Sequence, residues 1–272
     1  MEEVMSEPTK LKAIDLMTTE LAPLILENGF RKYKKGYFVR MRGEILQYVY
    51  FRTLRPPFDV RFFAIPYWAV NEEYLVPKYF DFIGFQSVSS LADKLDGHGD
   101  PIRWQMEPSY RRWENWNSET LQPLLPLYAE KLRQYVFPML DEVNDFDSYI
   151  AMQKRIANLY GYNYFEHLPK EVVKELCIRS NSLDLVYDFI QKARLDFENK
   201  YLAEKAKATM YYDIERAKER YQDSLNRLEQ LWREFTDVPD GVSPQDVFGE
   251  EMNNLRTNRK EVIEKLLKLK SA

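Results

Sequence analysis

The stretch from residue 37 to 67 constrains this chain most, because it is typical of three strands joined by short connections. Aromatic and β-branched residues are concentrated in Tyr37–Met41, Ile45–Thr53 and Phe58–Tyr67. The segments between them, Arg42-Gly43-Glu44 and Arg55-Pro56-Pro57, are typical of turns. Strands joined this closely pair antiparallel, since a parallel pair needs a long crossover. The sequence therefore predicts an antiparallel sheet.

Both faces of this sheet are predicted to be partly covered. In the second strand, alternate residues place Ile45, Gln47, Val49 and Phe51 on one face. The opposite face carries Leu46, Tyr48, Tyr50 and Arg52. Neither set is purely polar, so we expect other elements to pack against each face.

Helical spacing of apolar residues surrounds the sheet. Residues 10–27 predict an amphipathic helix that ends at Asn28-Gly29. A further strand is expected near 102–106. Later helices are predicted at 120–143 with a kink at Pro138, and at 147–159, 169–179, 182–235 with a break near Asp196, and 244–269. The predicted fold class is α+β: an antiparallel sheet flanked by helices (1–147), followed by an all-α half with long antiparallel helices (148–272).

The segment 210–235 has apolar residues at heptad-like spacing, which is typical of a helix that packs along a partner helix. The neighbouring segment 185–202 offers a partner within the chain, and another subunit offers a second. A protein partner or a second copy is predicted to dock around four residues of this seam: Tyr221, Leu228, Trp232 and Phe235.

Charge is distributed unevenly along the chain. Residues 31–61 hold nine Lys and Arg against Glu44 and Asp59, a net of +7, whereas the whole chain carries −4. The alternative functional prediction is therefore anion or nucleic-acid binding through a basic, aromatic sheet face, with Arg40, Arg42, Arg52 and Arg61. The competing interpretation is that these cations solvate the sheet, guard its edge or dock on the acidic helical half. Composition alone does not separate the two.

No catalytic, metal-binding or cofactor-binding constellation is recognisable in the sequence. Asp96, His98 and Asp100 lie close together, but this spacing is more typical of a turn than of a metal loop. His167 is the only other histidine, and we expect it in a loop or at a helix start. Trp104, Trp113 and Trp116 predict either core packing or a pocket for an aromatic or cationic group. The residues leave enzymatic activity undecided and favour a non-enzymatic role.

The cell compartment is inferred from three sequence features. The longest apolar stretches are far shorter than the roughly 20 residues of a membrane-spanning helix. The first residues lack a signal-peptide pattern, and Cys177, the single cysteine, has no partner for an internal disulfide. We expect a cytoplasmic protein that does not bind membranes.

The order of elements resembles the bacterial family called domain of unknown function 4304, over roughly residues 10–147. Four short motifs carry this resemblance: Asn28 to Lys32, Tyr37 to Arg40, Gln47 to Arg52, and Phe62 to Trp68. The sequence departs from the family pattern at Arg55 to Phe58, where Pro56-Pro57 shortens a connection. The resemblance implies an α+β fold and a bacterial or phage setting, and it assigns no active-site residue.

Taken together, the sequence favours a non-enzymatic module for protein–protein interaction or oligomerisation. A role in a bacterial conflict or immunity system is consistent with the resemblance. A protein partner or self-association is predicted ahead of nucleic acid, and no cofactor is expected.

Overall fold

The computed structural model describes residues 13–52, 59–70, 86–96, 121–208, 210–239 and 241–268. Contacts divide the chain into two compact units. Unit 1 comprises residues 1–167 together with 256–272, and unit 2 comprises residues 168–255. The predicted boundary at 147–148 falls inside unit 1, and the division into 1–147 and 148–272 stays a prediction.

Unit 1 is built on an antiparallel sheet, which confirms the predicted α+β class. Its described strands lie in chain order, and only neighbours along the chain are paired. They are β1 (Arg31–Lys34), β2 (Tyr37–Arg42), β3 (Ile45–Arg52), β4 (Asp59–Pro66) and the two-residue β5 (Gln86–Ser87). The sequence predicted β2 to β4 and missed β1 and β5. The strand expected near 102–106 lies outside the described residues.

The turn between β2 and β3 brings the sheet against a loop that is distant in sequence. Gly43 has a φ of 53°, in the left-handed region that favours glycine. A Cβ at this position would overlap the backbone oxygen of Asn144. The next amide, that of Glu44, donates to the same oxygen at 3.0 Å. Glycine is therefore required both for the turn and for this close approach.

Both faces of β3 are covered, as the mixed pattern predicted. All of its residues are buried except Arg52, which is intermediate. The helices of unit 1 are α1 (Ala13–Glu27), α2 (Val88–Asp96), α3 (Leu125–Lys131), α4 (Phe137–Asp141) and α5 (Phe146–Tyr160). A π-helical segment, Leu132–Val136, joins α3 to α4. The helical hydrogen bonding is therefore irregular just before Pro138, where a kink was predicted because proline lacks the backbone N–H of a regular helical turn.

Helix α5 starts at a capping box and ends at a glycine. The Asp145 carboxylate accepts from the Ser148 amide at 2.8 Å, and the Ser148 hydroxyl accepts from the Asp145 amide at 3.1 Å. At the other end Gly161 adopts a φ of 74°. At the helix start, Phe146 stacks on Trp68 with ring centroids 5.9 Å apart.

Unit 2 is all-helical within its described residues. It contains α6 (Lys170–Ser180), α7 (Asp184–Lys207), α8 (Tyr211–Thr236) and the first part of α9 (Pro244–Lys268), whose last part belongs to unit 1. The break expected near Asp196 is wrong, because Asp196 lies exposed within α7, where a charge does not interrupt a helix. The chain leaves the helix at Ala208 instead, where the backbone is extended with a ψ of 129°.

Helices α7 and α8 form an antiparallel hairpin, which confirms the prediction of long antiparallel helices. Tyr201 stacks on Tyr221 with ring centroids 5.2 Å apart, and the rings of Phe189 and Trp232 pack with centroids 5.4 Å apart. Within the described residues no helix is both long and apolar enough to cross a membrane.

Candidate functional site

The four predicted partner-binding residues lie in two different environments of unit 2. Leu228, Trp232 and Phe235 are 6%, 5% and 0% exposed. The ring centroids of Trp232 and Phe235 are 5.4 Å apart, and those of Phe235 and Phe248 of α9 are 5.3 Å apart. These side chains form the internal core at the base of the hairpin. Their role in binding a partner stays a prediction, and the geometry favours it only at the remaining residue, Tyr221.

Tyr221 lies in an open groove between α7 and α8, which we call the hairpin groove. The groove has a volume of about 440 Å³. Three half-buried aromatic side chains, Phe197, Tyr201 and Tyr221, contribute apolar surface to it. Six charged side chains also line it: Asp196, Lys200 and Glu204 from α7, and Arg220, Asp223 and Arg227 from α8. Negative and positive charges are therefore equal in number.

The charged residues of the two helices lie in complementary rows. Arg220 bonds to Glu204 at 2.8 Å, and Arg194 bonds to Glu229 at 3.2 Å. These two pairs fix which residues of α7 and α8 lie at the same height along the hairpin. By the same register, we expect Asp196 to lie level with Arg227, and Lys200 level with Asp223. At each of these levels an acidic residue on one helix thus corresponds to a basic residue on the other.

Apolar side chains are unusually exposed in the outer part of this hairpin, residues 195–221. Five of the eleven large apolar side chains found exposed in the described residues lie here. They are Leu195, Leu202, Met210, Tyr211 and Tyr212. The three at the tip are the most exposed of the set, with Tyr211 at 76%. A concentration of exposed apolar side chains in one segment favours an interaction site there.

The four predicted anion-binding arginines do not form one patch. Paired residues on neighbouring strands point to the same side. Arg40 pairs with Gln47 and Arg42 with Ile45, whereas Arg61 pairs with Tyr50, and Arg52 with Asp59. Arg40 and Arg42 therefore lie on one face of the sheet, and Arg52 and Arg61 on the other. Anion or nucleic-acid binding stays a prediction, but it requires two separate sites rather than one.

Arg40 is buried and its donors are occupied within the fold. Its guanidinium donates to the Gln47 side chain at 2.6 Å, to the Asn28 carbonyl at 2.7 Å and to the Asp141 carboxylate at 2.6 Å. Burial lowers the pKa of the guanidinium, and the Asp141 carboxylate acts in the opposite direction. Arg42 also contacts Asp141, at 3.2 Å. On the other face, Arg61 contacts Asp59 at 3.4 Å.

Gln47 links the sheet to the end of α4. Its amide nitrogen donates to the Leu140 carbonyl at 2.6 Å and to the Val143 carbonyl at 2.8 Å. The Val143 carbonyl lies beyond the helix end, and the Leu140 carbonyl also accepts from the Val143 amide at 3.2 Å. We call this arrangement of Arg40, Gln47 and Asp141 the Gln47 junction. Its contacts are those of a structural joint.

The described residues do not bring the remaining candidates from the sequence, the histidines, the acidic residues near them and the tryptophans, together in one site. His98, Asp100, Trp104, Trp113 and Trp116 lie outside them. Asp96 accepts from the Tyr135 hydroxyl and contacts Lys131 at 3.2 Å. His167 is the last residue of a short 3-10 helix that begins at Tyr164.

Cysteine and metal chemistry receive no support from the geometry of the described chain. Cys177 is fully buried, and burial raises the pKa of its thiol to about 12, so the reactive thiolate is disfavoured. No group of three or more His, Cys, Asp or Glu side chains lies close enough together there to hold a metal ion.

Unit 2 also contains a buried ion cluster that the residue pattern did not predict. Lys174 is 8% exposed and contacts Glu234 at 2.9 Å and Glu251 at 2.8 Å. Burial alone would lower the pKa of Lys174, but the two carboxylates outweigh it and the pKa is raised. Burial also opposes ionisation of Glu234, but hydrogen bonds from Lys170 and Lys174 keep its pKa below the usual value. The only available signal was a lysine beside Val172 and Val173 on a helix.

A scan against protein-family models, a search of curated proteins and a search of solved structures each found no match to this chain. The resemblance of residues 10–147 to the domain of unknown function 4304 therefore stays a prediction.

Proposed function

We propose that this protein is a non-enzymatic interaction module that docks a protein partner or a second copy on the outer hairpin, residues 195–221. The observation that carries the proposal is the exposure of apolar side chains on that segment, in contrast to the buried Leu228, Trp232 and Phe235 at the base of the same hairpin. A helix face of this kind is normally buried against another element.

The two ends of the hairpin support this contrast. At the base, Trp232 and Phe235 are covered, and α9 contributes Phe248 to their cluster. In the outer hairpin, α7 and α8 contact each other, and Leu202 remains 51% exposed. Two helices alone leave their outward surfaces to solvent, so a third surface would bury what the hairpin exposes.

The setting of this function is also a proposal. A cytoplasmic location rests on the sequence pattern, and a bacterial or phage origin rests on the resemblance. A place in a conflict or immunity system belongs to the same proposal, and its test is the gene neighbourhood.

A pair of matched variants tests the docking surface. Leu202→Ser combined with Tyr221→Ser removes apolar area from the outer hairpin, inside the groove at Tyr221 and outside it at Leu202, and Leu26→Ser on α1, 46% exposed in the wild type, is the control. We would measure the mass of each purified chain by light scattering, and then the affinity of each for any host protein that the wild type retains. We expect the double variant to lose dimer formation or partner affinity by about tenfold or more, because buried apolar contacts dominate such interfaces.

The control should behave as the wild type. The proposal fails if the wild type is a monomer that retains no protein. It also fails if a dimer or complex forms equally well with the double variant.

A further inference from the structure

We infer that the hairpin groove is occupied by the same groove of a second copy, so that two α7–α8 hairpins pack face to face as a four-helix bundle. This inference rests on the proposed function and names its partner. The two-fold axis would run parallel to the helices, so that α7 of each copy lies on α8 of the other. Such an interface uses the same residues on both sides, as two-fold dimers do.

The charge rows of the groove carry this inference. In the stated arrangement, residues that share a level within one hairpin also meet across the interface. Asp196 would meet Arg227 of the second copy, Lys200 would meet Asp223, and Glu204 would meet Arg220. Every one of these contacts joins opposite charges, and the symmetry repeats each of them once. The surface is therefore complementary to itself.

The opposite orientation is complementary only in another register. If the axis ran across the helices, α7 would lie antiparallel on α7 of the second copy. With the axis level with Lys200, this residue would meet its own symmetry mate, and Asp196 would meet Glu204. Like charges placed opposite one another oppose association. With the axis level with residue 198, Asp196 would instead meet Lys200, so the two orientations differ in the residue that Lys200 meets, which is Asp223 only when the axis runs parallel to the helices.

The size of the open face fits a dimer. Helix α7 has 24 residues and α8 has 26. At about 1.5 Å per residue and about 10 Å per helix diameter, one side of the hairpin measures roughly 700 Å². A standard interface buries about 800 Å² on each partner. The groove side stays open toward the base, because Leu231, one helical turn beyond Arg227 on the same face, is 53% exposed.

The groove also supplies apolar surface to bury. Phe197, Tyr201 and Tyr221 are only half buried within one chain. In the four-helix arrangement they would lie in the central layer of the bundle, with the charged rows at its margins. An apolar centre with a polar rim is the usual anatomy of a protein interface.

A charge swap between two copies tests the arrangement. Lys200→Glu and Asp223→Lys are made separately, at two exposed positions where folding is little affected, and circular dichroism checks the helix content of each. Each variant alone would place two like-charge pairs in its dimer, whereas a mixture of the two variants would restore both attractive pairs. We expect the dissociation constant of each homodimer to rise on the order of 10- to 30-fold, and that of the mixed dimer to return near the wild-type value.

A matched control lies on the other side of the same hairpin. Arg194 pairs with Glu229 across the helices but does not line the groove. Arg194→Glu should therefore leave dimer formation unchanged, within about twofold. Sedimentation of differently labelled copies, alone and mixed, gives all of these constants.

The outcomes separate this inference from the proposed function. A wild type that stays monomeric, or a dimer that is unaffected by either single variant, overturns the second-copy arrangement. Loss in both single variants without recovery in the mixture overturns it as well. If the monomer still binds another protein through the outer hairpin, the proposed function stands without this inference.

Discussion

The Gln47 junction of unit 1 and the hairpin groove of unit 2 are both rich in charged and polar side chains, but they use them differently. In the junction, Arg40 and Gln47 are buried, and Gln47 bonds both to Arg40 and to the backbone carbonyls of Leu140 and Val143. In the groove, charged rows lie at the surface beside half-buried aromatic rings. Polar groups that the fold has already satisfied stabilise it, whereas polar rows beside exposed apolar surface remain available for recognition.

The largest effect we expect is in the base of the hairpin, at Trp232. Trp232→Asp removes a buried ring and buries a carboxylate, so we expect a loss of about 5 kcal/mol or more in the free energy of unfolding. Unit 2 would then fail to fold, and circular dichroism would show a loss of helix.

The neighbouring residue provides the control for this prediction. Leu231 is 53% exposed, and Leu231→Asp should cost about 1 kcal/mol or less. If Trp232→Asp folded normally and only weakened partner binding, Trp232 would belong to the interaction surface and the division of the hairpin into base and outer part would be mistaken.

The second prediction concerns the Gln47 junction. Gln47→Leu leaves the carbonyl of Val143 and one donor of Arg40 without their partner, whereas the Leu140 carbonyl keeps the Val143 amide at 3.2 Å. We expect a loss of about 2 to 3 kcal/mol, because each buried unsatisfied group costs on the order of 1 kcal/mol or more. Urea unfolding would measure it, with the exposed Gln191→Leu on α7 as a control that stays within about 0.5 kcal/mol. A neutral result would mean that the junction is not a structural joint.

The third prediction uses the buried ion cluster of unit 2. Lys174→Met should cost about 1 to 2 kcal/mol near neutral pH, a modest value because Glu234 and Glu251 are 33% and 50% exposed. The pKa of Glu234 is lowered in the folded state, so its contribution is complete above the ordinary value of 4.5 and is lost as the pH falls through the folded pKa. The difference between wild type and variant should therefore shrink below pH 4.5.

Unfolding curves of both chains across this acid range would measure the difference. Arg194→Met, which breaks an exposed pair, should cost about 0.5 kcal/mol or less at any of these pH values. A gap between wild type and Lys174→Met that stays constant with pH would contradict the assigned role of Glu234.

The smallest effect is expected at the hairpin tip. Tyr211→Ser combined with Tyr212→Ser should change the free energy of unfolding by no more than about 0.5 kcal/mol, because both rings are largely exposed, at 76% and 70%. Thermal unfolding of the purified chain would show this. A large loss of stability would mean that the tip is part of a core, and the proposed docking surface would lose its most exposed residues.

Residue spacing was enough to predict most of the fold. Period-two alternation located β2 to β4, and helical spacing located the later helices, because both patterns reflect which side of an element is buried. β1 was missed because Arg31, Lys32 and Lys34 give it no apolar alternation, and only its pairing with β2 makes it a strand. The position of the hairpin connection was missed because Asp196 is tolerated on an exposed helix surface.

The candidate site was less predictable than the fold. Heptad spacing placed Tyr221, Leu228 and Trp232 on one seam, but spacing does not tell how many neighbours cover each part of it. Phe248 covers the base and lies on another helix. The complementary rows depend on the register of α7 against α8, which only contacts in the folded hairpin, such as that of Arg220 with Glu204, define. The basic run of residues 31–61 was conspicuous in sequence, and strand pairing divided four of its arginines between two faces.

The path of α9 has a consequence for how the protein is made. Its last part belongs to unit 1, and Ile263 is buried there. The Arg256 guanidinium lies 5.3 Å from the centroid of the Trp68 ring, and the Leu267 carbonyl accepts a hydrogen bond from Arg31 at 3.5 Å. Chains emerge from the ribosome in order, and domains fold as their residues become available. Residues 168–255 of unit 2 therefore all leave the ribosome before residues 256–272 of unit 1, although the sheet of unit 1 is synthesised earlier. A nascent chain would carry an unfinished sheet module until the last part of α9 leaves the exit tunnel.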